Sequence, residues 1–216
     1  MALSIETART LEESGDYVGA LVQYRSLYAE DSGNEDVILG IAQCALALDN
    51  PELAFEFFVK LLIQNHNNPW GYVGRANVLF RYAQTDRALS DLARAIELDN
   101  PATELRIDCA AVLNDNGFSD LAYETLQPIR KTHFEETDFQ CEWIFAILVT
   151  DRRNHPDIRP ILDSFAAHRD EDPFYTLCLT AWNHLIHPEE TLPDISELLE
   201  EAPELVCRAQ YLGLIQ

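Results

Sequence analysis

The chain has 216 residues, of which 47% are hydrophobic, enough for one sizeable domain or a short repeat array with a buried core. Its 37 acidic and 15 basic residues give a net charge of −22, which argues against direct nucleic-acid binding because a phosphate backbone requires a positive surface. No apolar run approaches the roughly 20 residues of a membrane-spanning helix, and the N-terminus lacks the basic segment of a signal peptide, so we expect a cytoplasmic protein.

Helical periodicity runs through the first two-thirds of the chain, and glycine is scarce in the sequence as a whole. Helix starts are marked by an N-cap side chain followed by proline, whose missing N–H costs nothing in a first turn. This pair occurs at Asn50-Pro51, Asn68-Pro69, Asn100-Pro101 and Asp172-Pro173. The pattern predicts four pairs of helices, at 3–14 and 17–30, 35–48 and 51–64, 69–82 and 85–98, and 103–116 and 119–132.

Beyond His133 the pattern is less regular. Pro128 should kink or end the eighth helix, and the next one, 138–151, is rich in bulky apolar residues. Further helices are predicted at 157–168, 174–186, 192–201 and 203–215. The last one carries an apolar stripe typical of a capping helix, formed by Leu205, Val206, Ala209 and Leu212.

Residues of one type recur at a step of 34. The first alanine series is Ala8, Ala42, Ala76 and Ala110, and the second is Ala20, Ala54, Ala88 and Ala122. Large apolar residues follow four positions after the second series, at Tyr24, Phe58, Leu92 and Leu126. Eight alanines in register indicate an internal repeat whose small residues allow close approach of helices.

The 34-residue unit, its alanine positions and the turn Gly15-Asp16-Tyr17 resemble the tetratricopeptide repeat. The resemblance implies an all-α, right-handed solenoid of antiparallel helix pairs, forming one domain over residues 1–216. Its clear repeats are 1–34, 35–68, 69–102 and 103–136, and degenerate repeats with a cap fill 137–216. The third repeat is neutral, with four acidic and four basic residues, whereas each of the other three has a net charge of −4.

In this family the first helix of each repeat lines a concave groove that takes a peptide or helix of a partner. Projecting the faces opposite the alanines predicts a mostly apolar groove with a few polar anchors. Its residues are Arg9, Leu39, Gln43, Trp70, Val73, Asn77, Phe80, Arg81, Ile107 and Asn114.

Catalytic and metal-binding patterns are missing from the sequence. The five cysteines are widely spaced and read as reduced thiols packed as small hydrophobes, and no catalytic or phosphate-binding motif occurs. We therefore expect no cofactor, no metal and no enzymatic activity.

The preferred hypothesis is a cytoplasmic adaptor or chaperone that binds a peptide or helix of another protein, of basic or amphipathic character, in this groove. A secretion-type chaperone for apolar segments is a narrower form. Two alternatives remain open: an acidic protein that masks the basic nucleic-acid- or membrane-binding surface of its partner, and a homo-oligomer formed through the C-terminal helix. The acidic charge is also compatible with solubility or adaptation to a salty cytoplasm.

Overall fold

A computed structural model describes residues 4–99, 103–150, 152–168 and 172–215 of the chain. These residues form helices and turns without a β-strand, which confirms the predicted all-α class and its arrangement as a solenoid of helix pairs. The chain divides into two compact units, Met1–Leu105 and Arg106–Gln216. The predicted helix start at Asn100-Pro101 lies outside the described residues.

The first unit contains six helices in three pairs. Each helix contacts the next one along the chain, and the first helices of successive pairs also contact one another, α1 with α3 and α3 with α5. The helices are α1 (Ile5–Glu13), α2 (Tyr17–Glu30), α3 (Glu35–Ala47), α4 (Pro51–Gln64), α5 (Pro69–Arg81) and α6 (Thr85–Leu98). This pattern of contacts places α1, α3 and α5 side by side in one layer.

Small residues and helix caps fix these pairs as predicted. All eight alanines of the two repeating series are fully buried, so each marks a point where helices approach closely. The Asn50 and Asn68 side chains accept hydrogen bonds from the backbone N–H groups of Leu53 and Gly71, which caps α4 and α5.

The turn within each pair repeats with the same period. A residue with positive φ ends the first helix in each of the first four repeats, and the backbone N–H of the next residue closes the turn on the carbonyl five positions earlier. The positive-φ residues are Gly15, Asp49, Ala83 and Gly117. Two of them are glycine. The other two, Asp49 and Ala83, adopt the same left-handed conformation, which costs about 1–2 kcal/mol for a residue with a Cβ.

Aromatic rings join one pair to the next in the first unit. The Tyr24 ring lies against Gly40, where an added Cβ would come within 2.4 Å of the ring. The Phe58 ring lies against Gly74 in the same way, and there the added Cβ would be 2.0 Å away. Since both rings are buried, a glycine is required on the facing helix of the following repeat in each case.

The second unit starts with two helices joined by the same type of turn and then becomes irregular. Its helices are α7 (Leu105–Asp115), α8 (Ser119–Leu126), α9 (Arg130–His133), α10 (Thr137–Val149), α11 (Ile158–Ala167), α12 (Pro173–Ile186), α13 (Ser196–Glu201) and α14 (Val206–Tyr211). As expected, Pro128 breaks the second helix of the fourth repeat, since a 3₁₀ turn at Gln127–Ile129 separates α8 from α9.

Helix α10 forms the core of the second unit. Six of its apolar side chains, including Trp143 and Phe145, are fully buried, and the helix contacts α8, α11 and α12. The predicted C-terminal helices are shorter than expected. A coil precedes α13, and α14 ends at a left-handed Gly213.

Candidate functional site

The predicted groove positions of the first unit lie on α1, α3 and α5, which we call the first-helix face. Arg9, Gln43 and Arg81 are exposed on it, while Val73 is buried. The half-buried positions are Leu39, Trp70, Asn77 and Phe80. The face therefore combines apolar surface that water reaches with polar groups at its edges.

Helix α5 contributes the largest part of this face. Trp70, Val73, Asn77 and Phe80 recur at the spacing of one helix side. Within the described residues, neither the Asn77 amide nor the Trp70 indole N–H forms a hydrogen bond with another protein group. A half-buried amide beside an aromatic ring can donate to and accept from the backbone of a bound peptide.

Two exposed ion pairs lie along the first-helix face. Arg9 is 3.5 Å from the Asp36 carboxylate, and Arg81 Nη1 donates to Asp49 Oδ1 at 2.6 Å. Exposed pairs of this kind contribute at most about 1 kcal/mol. Either arginine can therefore exchange its partner for a carboxylate or carbonyl oxygen of a ligand at little cost.

The two groove positions expected in the second unit lie inside it. Ile107 is buried, and Asn114 is fully buried, with its Nδ2 donating to the carbonyl oxygen and to Oε2 of Glu142. Asn114 is thus a packing residue in this structure and is closed to a partner. Other side chains pack around Glu142 and bury this position. The prediction from the faces opposite the alanines did not take them into account.

These side chains form a cluster around Arg208 of α14, which we call the arginine cage. Arg208 Nε donates to Asp115 Oδ1 and its Nη2 donates to Glu142 Oε1, both at 2.8 Å. Its guanidinium also lies 5.0 Å from the ring centroid of Phe145 and 5.2 Å from that of Phe174. The Arg208 side chain is only 12% exposed, so carboxylates and aromatic faces replace most of its water.

Burial in this cage disfavours the charged form of Glu142, and its neighbours favour that form. Burial raises the pKa of Glu142, and the nearby Arg208 charge with the Asn114 and Arg208 hydrogen bonds opposes that shift only in part. The carboxylate is therefore more basic than in water, and it depends on Arg208 to stay ionised.

A second buried charge in this unit is Asp157. Arg130 and the Trp143 indole N–H both donate to its carboxylate, the latter at 2.7 Å. Burial by itself raises the pKa of Asp157, but these hydrogen bonds outweigh burial and bring the pKa below its usual value. Arg130 lies on α9, Trp143 on α10 and Asp157 at the start of α11, so these hydrogen bonds link the three helices.

The cysteines are all free thiols. Cys44, Cys109 and Cys178 are buried and Cys141 is half-buried, as small apolar residues would be, whereas the expectation of packing is wrong for Cys207, which is exposed. In the part of the chain that the structure describes, no three His, Cys, Asp or Glu side chains converge as metal ligands would. None of the described helices is long and apolar enough to cross a bilayer.

Reasoning from the sequence missed two sets of residues. Gly40 and Gly74 could have been found, because they follow the same repeat as Tyr24 and Phe58. Arg208 had no comparable signal, since its partner Asp115 lies 93 positions away and no repeat relates them.

The sequence matches one family model. Residues 11–71 match the tetratricopeptide repeat, across most of the first two pairs of helices. No curated protein sequence matches the chain.

Solved structures give a wider likeness in fold. A thermophilic TPR protein of Thermus thermophilus superposes with a TM-score of 0.62 at 19% identity, covering 97% of this chain and 96% of its own. The pilF protein of Pseudomonas aeruginosa gives 0.61 at 15% identity, covering 96% and 86%. YrrB, described as a TPR protein with an unusual peptide-binding site, gives 0.52 at 17% identity, covering 88% and 95%. At these identities the likeness concerns the fold.

Proposed function

We propose that this chain, a tetratricopeptide repeat protein, is a non-enzymatic adaptor or chaperone that binds a peptide or helix of a partner on the first-helix face. Its fold is one of protein–protein interaction modules. The observation that carries this proposal is the row of accessible apolar and polar groups on α5, with the Asn77 amide unpaired in the described residues. A solved protein of the same fold, YrrB, has a peptide-binding site.

The first-helix face suits an amphipathic or extended apolar segment better than a highly charged one. Trp70, Phe80 and Leu39 offer apolar contact, while Asn77 can bind a peptide group. Arg9 and Arg81 are already paired to carboxylates, so they add specificity at the rim more than affinity.

Two double variants test this proposal. Asn77→Ala with Arg81→Ala removes one polar group and one ion-paired arginine from the first-helix face. Ser90→Ala with Arg94→Ala is the matched control, because it removes the same two kinds of group, at the same spacing, from the exposed side of α6, where Arg94 pairs with Glu97. Each chain is immobilised and exposed to an extract of the source cells, and captured proteins are quantified by mass spectrometry.

We expect a captured protein whose yield falls at least tenfold with the first double variant and stays within twofold with the control. If both variants capture the same proteins as the unmodified chain, the first-helix face is not the binding site. Circular dichroism establishes that both variants remain folded. The cytoplasmic location expected from the sequence belongs to the same proposal, and cell fractionation tests it.

A second candidate is an acidic protein that covers the basic surface of its partner. It is favoured by the surplus of 37 acidic over 15 basic residues. Charge-driven binding weakens steeply as salt rises, because exposed charges are screened over about 10 Å at 0.1 M. Capture that persists at about 0.5 M salt, where screening is stronger still, contradicts this candidate and agrees with an apolar contact on the first-helix face.

A further inference from the structure

One side chain of the C-terminal segment, residues 195–215, contacts groove positions of the second unit. Asp115 stands one repeat after Arg81, and Phe145 stands two repeats after Asn77. Both are first-helix positions that line the groove in this fold, and both contact Arg208 of α14. Arg208 therefore contacts, in the second unit, two positions whose equivalents in the first unit are accessible.

The contact has the chemistry of ligand recognition. A guanidinium forms charge-assisted hydrogen bonds to two carboxylates on different helices, α7 and α10, and lies over two aromatic rings. Lysine could not reproduce this geometry, since it lacks the planar fork of donors. The cage also holds an acceptor without a partner in the described residues, because Asn114 Oδ1 is buried and forms no hydrogen bond. A donor from another molecule would reach this oxygen only if the C-terminal segment left the cage.

The segment depends on these contacts to keep its place. Its helices α13 and α14 have six residues each, too short to be stable alone. The stretch that joins it to α12, residues 187–194, is exposed along its whole length and contains no helix. Its apolar stripe is used within the chain, since Leu205 and Ala209 are buried.

We propose that the arginine cage is a second protein-binding site, which recognises a short helical segment with one arginine between small apolar residues, and that the C-terminal segment is its exchangeable internal occupant. A partner segment of this chemistry would displace residues 195–215 and take the place of Arg208. This site is separate from the first-helix face, so either proposal can fail without the other.

The test uses the full chain and a synthetic peptide of its own C-terminal sequence, residues 192–216, with a fluorescent label at the N-terminus. Binding is followed by fluorescence anisotropy for the unmodified chain and for Arg208→Ala, whose cage has lost its internal arginine. The control peptide carries Arg208→Ala. Circular dichroism and thermal unfolding report whether the variant chain is folded.

We expect the native peptide to bind the Arg208→Ala chain at least tenfold more tightly than the unmodified chain, because the internal competitor is weakened. The control peptide should bind that variant chain at least tenfold more weakly than the native peptide. If the folded variant binds neither peptide, or binds both equally, the proposal is overturned.

A second measurement on the unmodified chain decides the matter if Arg208→Ala does not fold. Hydrogen exchange of the α14 amides is followed by mass spectrometry at saturating peptide, and the peptide is isotope-labelled so that its mass differs from that of the chain. Displacement predicts at least threefold faster exchange of α14 with the native peptide and unchanged exchange with the control peptide. Unchanged exchange with both peptides would show that the internal segment does not leave the cage.

Discussion

The two units of this chain solve the same packing problem with different chemistry. In the first unit, two of the three residues four positions after the second alanine are the rings of Tyr24 and Phe58, and each faces a glycine in the first helix of the next repeat; the third is Leu92. In the second unit, Leu126 stands at the position of the ring and Glu142 at that of the glycine. A smaller side chain and a carboxylate thus replace a ring and a glycine, and the carboxylate then needs Asn114 and Arg208 as partners.

This difference explains why one face is accessible and the other is covered. Apolar rings against glycines complete the core of the first unit from within, so the first-helix face needs no cover. A buried Glu142 without a cation would cost several kcal/mol, so the second unit recruits an arginine from the C-terminal segment. The consequence of the charged core is a groove position filled by the chain itself.

The largest expected effect breaks the charged core of the second unit. Asp157→Ala leaves Arg130 and the Trp143 N–H without their acceptor, and we expect the free energy of unfolding to fall by about 3 kcal/mol, allowing for the partial exposure of Arg130. Urea unfolding followed by circular dichroism measures it. Asp120→Ala, which removes an exposed partner of Arg152, is the control and should cost less than about 1 kcal/mol. Equal losses would show that burial of Asp157 is not what matters.

The next effect breaks the ring–glycine packing of the first unit. Gly74→Ala places a methyl group against the Phe58 ring, and we expect a loss of about 2 kcal/mol in the free energy of unfolding, even though alanine favours helix. Adding Phe58→Leu, the residue type that the chain itself uses at 92 and 126, should recover part of that loss. A double variant that is less stable by the sum of both single losses would mean that the two residues do not act as a pair.

A smaller effect sharpens the comparison at the turns. Ala83→Gly relieves a left-handed alanine and should stabilise the chain by about 1 kcal/mol in the same unfolding experiment. Gly15→Ala is the matched reverse change, because its added Cβ meets no atom within 4 Å and only the backbone conformation opposes it. We expect it to destabilise by a similar amount. If both variants changed the free energy of unfolding in the same direction, this explanation of the turns would be wrong.

The smallest effect concerns pH. Since burial raises the pKa of Glu142 in the folded chain, the folded state keeps this proton to a higher pH than the unfolded state, whose pKa is near 4.5. The contribution of Glu142 to the free energy of unfolding is fully present below pH 4.5 and is lost as pH rises through the pKa of the folded state. The charge of Arg208 lowers that pKa and the charge of Asp115 raises it. Glu142→Gln should remove this decline, measured as the change in urea midpoint between pH 4.5 and about 6.5. An unchanged pH dependence would place the titration elsewhere.

Much of the first unit follows from its sequence, because its repeats obey simple volume rules. The alanine series and the helix caps at Asn50 and Asn68 are local or periodic signals, as is the break at Pro128 in the second unit, and the structure confirms them. The burial of Asn114 could not be predicted, because it depends on Arg208, a residue far away in the sequence with no repeat to relate them. Periodicity shows which side of a helix faces the groove, but not whether a distant segment fills it.

The most direct test of this comparison places a photoreactive amino acid at equivalent groove positions of the two units. Asn77 and Ala111 are separated by one repeat, and Ala111 lies one helical turn before Asp115 of the arginine cage. After irradiation in the source cells, we predict that the chain labelled at 77 forms a cross-link to a partner protein, while the chain labelled at 111 forms at least fivefold less, because the C-terminal segment of the same chain occupies the arginine cage for most of the time. Equal yields at the two positions, or a cross-link from 111 alone, would contradict the account.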